Sequence, residues 1–137
     1  MKRIVFLIAA ILLIFMTSAC NDEDKPAILF NKNRITVDNV FDYSHVFAPN
    51  QRIYYLILLP KKIETKKIEI QIIKKDNEYE RLGYTLYWNH PAVLKEDQMY
   101  YYDDYVVISE TGAYVMQVYS KDNPTKRLCT APFWVRN

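Results

Sequence analysis

Apolar and polar residues alternate with period two in short runs along the chain beyond residue 26, the spacing of strands that bury one face. Ala27 to Phe30 opens the series, with a continuation toward Val37 interrupted at Asn31-Lys32-Asn33. Arg52 to Leu59 is an almost continuous apolar run, which predicts a central strand covered on both sides, and Pro60 closes it because proline cannot donate to a ladder. Lys67 to Ile73 alternates, with Ile68, Ile70 and Ile72 on one face and Glu69 and Gln71 on the other. Gly83 to Trp88 places Tyr84, Leu86 and Trp88 together and is predicted to end at Asn89-His90-Pro91. Tyr100 to Ile108 carries Asp103-Asp104 in its middle, which predicts a bulge or an exposed edge. Ala113 to Tyr119 and Leu128 to Val135 complete the set, the former with Tyr114, Met116 and Val118 on one face. Sustained helical periodicity is absent after residue 20, although Pro91 to Gln98 has room for one helical turn.

The start of the chain follows a different pattern. Lys2 and Arg3 precede an uncharged apolar run from Ile4 to Met16, and the small residues Thr17, Ser18 and Ala19 lead to Cys20. A basic start, an apolar stretch and a small-residue end make a cleaved secretion signal. The apolar stretch falls short of the roughly 20 residues a membrane-spanning helix needs. Thr17-Ser18-Ala19-Cys20 resembles the lipobox of bacterial prolipoproteins, which implies cleavage after residue 19 and a diacylglyceryl group on the Cys20 thiol. Each buried acyl methylene contributes about 0.8 kcal/mol, so two or three chains would hold the protein stably on a membrane. Residues 20–26, with Asp22, Glu23 and Asp24, read as an acidic tether, and 27–137 as one domain.

Composition narrows the fold and the partners. Half of the 137 residues are hydrophobic and 25% are charged, as in a folded domain. Two glycines leave little material for a phosphate-cradling loop, and two cysteines are too few for a disulfide scaffold or a four-cysteine zinc site. The 18 basic residues include Lys2 and Arg3, so removing the leader leaves 16 against 16 acids. A mature chain without net charge is a poor partner for nucleic acid.

Seven or so short strands in about 110 residues predict an all-β fold, an antiparallel β-sandwich, with a small up-and-down β-barrel as the alternative. Glu110-Thr111-Gly112-Ala113-Tyr114-Val115-Met116 resembles the corner entering the sixth strand of immunoglobulin-like domains. That resemblance implies an Ig-like sandwich in which Gly112 and Tyr114 form a structural corner, the tyrosine hydroxyl bonding upstream backbone. Met116 stands where disulfide-bonded members have cysteine.

Candidate chemistry is sparse. His45 and His90 each sit in a turn-like, proline-neighboured context, outside any catalytic spacing, and read as solvated loop residues. No catalytic residue, cofactor or metal site is predicted; the acids Glu96, Asp97, Asp103 and Asp104 lack the spacing and the glycine of a calcium loop. Cys129 shares parity with Ala131, Phe133 and Val135 and reads as a buried thiol. Lys61, Lys62, Lys66, Lys67, Lys74 and Lys75 bracket one strand, as lysines that guard a sheet edge do.

The aromatic residues stand out, with 12 tyrosines, 6 phenylalanines and 2 tryptophans. Tyr84, Tyr87, Trp88, Tyr100, Tyr101, Tyr102 and Tyr105 fall within a short span. Consecutive strand residues face opposite sides, so Tyr100-Tyr101-Tyr102 must put rings on both. An exposed tyrosine offers a flat ring and a hydroxyl, suited to a protein interface or to stacking on sugar. The sequence therefore predicts a non-enzymatic binding or assembly module, lipid-anchored in the cell envelope, on the outer membrane in a Gram-negative cell. Its partner would be an envelope protein or glycan; alternatives are a glycan-binding accessory lipoprotein and an inhibitor or immunity-type lipoprotein.

Overall fold

The alternating runs become eight strands in a computed structural model that describes residues 25–59, 65–75, 83–94 and 101–137. Cys20, the leader, most of the tether and Tyr100 lie outside the described residues, as do Glu96 and Asp97. In chain order the strands are β1 (Ala27–Asn31), β2 (Val46–Phe47), β3 (Arg52–Leu58), β4 (Lys67–Lys75), β5 (Tyr84–Val93), β6 (Tyr101–Val107), β7 (Gly112–Ser120) and β8 (Arg127–Val135). They form two sheets, ordered β1-β3-β6 and β2-β8-β7-β4-β5. The described residues contain no helix. Two separate sheets around a shared core make a β-sandwich and exclude the closed barrel.

Alternate positions of the central strands point inside. Ile53, Tyr55 and Ile57 of β3 face Ile68, Ile70 and Ile72 of β4 and Tyr114, Met116 and Val118 of β7, all buried. Phe30 of β1 meets Phe133 of β8 with ring centroids 5.0 Å apart, and Phe47 of β2 closes the same end. Full burial of each such side chain contributes about 1.5–3 kcal/mol. β2 pairs parallel with β8, and backbone N–H groups of Trp134 and Arg136 donate to the carbonyls of His45 and Phe47. β1 runs antiparallel to β3, with Ala27 opposite Leu58 and Asn31 opposite Tyr54.

Several expectations need correction. β1 stops at Asn31, because Asn31 and Asn39 fold the following loop onto itself: Asn31 Nδ2 donates to Asn39 O, and Asn39 Nδ2 to Arg34 O. β3 is central, yet only one of its faces is covered; Tyr54, Leu56 and Leu58 lie half-buried on the outer face, which explains the nearly continuous apolar run. β5 passes through Asn89-His90-Pro91 to Val93. Proline is tolerated there because β5 is an edge strand, where a missing N–H can face solvent. The helical turn therefore does not form over Pro91 to Val93. The register between β4 and β5 slips at Ile72/Ile73, leaving Tyr87 as an extra residue that reverses the alternation. Tyr84 and Leu86 consequently point outward while Trp88 is half-buried, and the three do not share a face.

β6 keeps unbroken register with β3 from Val107 to Tyr101, so Asp103-Asp104 mark an edge strand and not a bulge. β4 is paired on both sides, by β5 and β7, so Lys67, Lys74 and Lys75 guard no edge, while Lys61 and Lys62 lie outside the described residues. Lys74 instead makes a 2.7 Å ion pair with Glu110.

Candidate functional site

The predicted aromatic cluster is divided among four places. Tyr87 packs edge-on against Tyr114, 5.3 Å between centroids, and belongs to the core margin. Tyr84, 52% exposed, lines a hollow on the outer face of the five-stranded sheet with Lys75, Pro132 and Trp134. Trp88 and Tyr102 are linked through His90 at the open side of the sandwich, between β5 and β6. Tyr101 and Tyr105 lie on the outer face of the three-stranded sheet, Tyr101 half-buried and Tyr105 exposed.

At the open side, His90 stacks on Trp88 at 5.4 Å, and its Nε2 lies 3.2 Å from the Tyr102 hydroxyl. That hydroxyl donates to Asp104 Oδ2 at 3.1 Å. A carboxylate can only accept, so the chain of bonds runs from His90 N–H to Tyr102 oxygen and from Tyr102 O–H to Asp104. Burial, and then the Asp104 charge, pushes the Tyr102 phenol up to about 12. A phenol held in its neutral form is the reverse of an activated nucleophile. His90 is thus a half-buried strand residue bonded to a hydroxyl, not a solvated loop histidine. His45 is exposed, its ring 5.8 Å from Tyr43 and 6.3 Å from Phe30. Among the described residues, no three His, Cys, Asp or Glu side chains converge as metal ligands would.

The corner at Gly112 and Tyr114 forms. The Tyr114 hydroxyl donates to the carbonyl of Glu110 at 2.8 Å, and its ring stacks on Phe133 at 5.4 Å. Gly112 has φ 156°, and a Cβ there would come within 2.9 Å of Lys74 Cε, so glycine leaves space for Lys74 to cross to Glu110.

The outer face of the three-stranded sheet carries a cleft of about 310 Å³. Period-two alternation puts Arg52 and Tyr54 of β3 on that face, and register places Tyr105 of β6 directly opposite Tyr54. The two rings are 5.7 Å apart and inclined by 51°, and the Arg52 guanidinium sits 4.8 Å over Tyr105. Hydrogen bonding to Tyr54, with the electrostatics of Tyr105 and Tyr54, holds Arg52 above the ordinary arginine range. Arg34 and Ile35, from the loop pinned by Asn39, form one wall, and Asp103 and Asp104 the other. Asp104 Oδ1 also accepts from the Tyr105 backbone N–H at 2.8 Å.

Of the six aromatic candidates among the described residues, only Tyr105 lines this cleft. Sequence reasoning missed Arg34, Ile35, Arg52 and Tyr54. Tyr54 was hidden inside an apolar run, and the available signal was its two-residue spacing from Arg52 on a shared face.

No protein-family model matches the chain, and no curated protein sequence matches it. Among solved structures, the chain is similar to the soluble domain of PmoD from Methylocystis sp. ATCC 49242 (Rockwell), with TM-score 0.53 and 14% identity over 81% of this chain and 90% of that one. It is also similar to superoxide reductase (neelaredoxin) from Ignicoccus hospitalis, with TM-score 0.47 and 8% identity over 82% and 80%. The PmoD likeness concerns the fold alone.

Proposed function

We propose that this chain is a lipid-anchored module of the bacterial cell envelope that binds a partner and performs no catalysis, through the aromatic outer face of its three-stranded sheet. The observation that carries the reading is the cleft in which exposed Tyr105 and half-buried Tyr54 lie between Arg34, Arg52 and Asp103. Fixed rings beside charged groups of both signs suit recognition, because aromatic anchors bring contact area at low entropic cost. The anchor rests on Thr17-Ser18-Ala19-Cys20 behind an apolar leader.

The body belongs, in this reading, to the immunoglobulin-like sandwiches. Support comes from the division of strands into β1-β3-β6 and β2-β8-β7-β4-β5, the counterpart of an ABE sheet facing a GFC sheet with one added strand on each side, β2 and β5. The Tyr114 hydroxyl bond to Glu110, four residues upstream on the entry to β7, supports the same assignment.

Cys20→Ser tests the anchor. Expressed in a bacterium with a radiolabelled fatty acid, the unaltered chain should carry label and sediment with membranes. The variant should lose the label and appear in the soluble fraction. Membrane association undiminished by the substitution would reject the lipoprotein reading.

A further inference from the structure

We infer that the cleft on the outer face is a carbohydrate site, taking a neutral oligosaccharide with its ring faces against Tyr54 and Tyr105. The inference rests on the binding-module reading and goes beyond it by naming the ligand class. Two guanidinium groups, Arg34 and Arg52, and two carboxylates, Asp103 and Asp104, line the same cleft, so its charges balance. Balanced charge gives no net attraction to a polyanion or polycation. It does give planar bidentate donors beside the Asp103 carboxylate as acceptor, the pairing that vicinal hydroxyls satisfy, each being donor and acceptor at once, while both Asp104 oxygens are already taken by Tyr102 and the Tyr105 N–H.

The tyrosine pair supplies the other half. A pyranose has a face of C–H bonds with positive character, which the negative face of an aromatic ring attracts. Tyr54 and Tyr105 are held by strand register, and Arg52 rests over Tyr105, so the rings need little ordering on binding. Among the described residues, Ile35 is the only aliphatic side chain of the lining. An apolar peptide anchor would find no pocket to fill, and the lining spans β3 as well as the edge strand β6, so it is not the free edge with which an added strand would pair. The hollow beside Tyr84 and Trp134 differs in this respect, with Lys75 the one charged lining residue among those described.

The test uses the full chain in detergent against an array of neutral hexose and N-acetylhexosamine oligosaccharides, with uronic-acid oligomers and a random peptide library as comparators. The assignment expects binding to one neutral class. Tyr54→Ala and Tyr105→Ala should each weaken it by about tenfold or more, while Tyr84→Ala leaves it unchanged. Arg34→Ala and Asp103→Asn, at exposed positions, should also weaken it with unaltered thermal unfolding, which covers the case of a tyrosine variant that fails to fold. Failure of every neutral sugar to bind, preference for the uronic acids or peptides, or binding that survives these substitutions would overturn the assignment. The array reads the cleft whether or not Cys20 is acylated, so a negative array with an intact lipid anchor removes the carbohydrate assignment alone.

Discussion

Tyr55 and Tyr114 both carry a hydroxyl into the core, with different outcomes. Tyr114 donates to the Glu110 carbonyl, whereas the buried Tyr55 hydroxyl has no hydrogen-bond partner among the described residues. Burial, with Tyr102 and Asp104 nearby, raises the Tyr55 phenol well above its ordinary range, so it stays neutral at any physiological pH. A made bond contributes about 1 kcal/mol net, and an orphaned buried group costs about 1–3 kcal/mol. Tyr114→Phe should therefore lower unfolding stability by about 1 kcal/mol in urea titrations. Tyr55→Phe, which deletes only the unpaired oxygen, should leave stability equal or raise it by about 1 kcal/mol. A Tyr114→Phe variant as stable as the parent would remove the corner bond from the account of stability. A marked loss in Tyr55→Phe would mean that its hydroxyl is satisfied after all.

Strands show where pattern reading stops. Ile68, Ile70 and Ile72, or Tyr114, Met116 and Val118, were legible because each stretch keeps strict alternation against its neighbours. β5 was not, because one extra residue, Tyr87, reverses the parity of everything before it, and an insertion of one residue leaves no mark in composition. β8 has a similar slip between Val118 and Tyr119 of its partner β7, yet Cys129, Ala131, Phe133 and Val135 all lie beyond it and keep their common face. Burial there pushes the Cys129 thiol up to about 12 from an ordinary value of 9.0. In Cys20→Ser chain, where Cys129 is the sole cysteine, alkylation by iodoacetamide at pH 8 should be on the order of a hundredfold slower in the folded state than in urea. Equal rates would place the thiol in solvent. The sign for stability follows: from pH 9 to about 12 the unfolded thiol ionises while the folded one does not, so this group lowers stability as pH climbs.

At the scale of the molecule, the all-β sandwich could be read from the sequence, but the order of its strands could not. Period and turn residues are local, whereas the choice of β6 and β5 as edges depends on pairings between residues far apart. The candidate site was obscured for the same reason: Tyr54 and Tyr105 become neighbours only through register, and Arg34 reaches them by a loop that two asparagines hold. The antiparallel pairing of β1 with β3 has a mechanical side. Ala27 lies opposite Leu58, and the cleft residues Arg52 and Tyr54 stand at the other end of the pair. With the lipid on Cys20 as proposed, a tug from a captured ligand would drag β3 and β1 in opposite directions along their length. Their ladder would then be loaded in shear, all rungs straining together instead of unzipping singly, so the grip could outlast a pull that would peel the strands apart from one end.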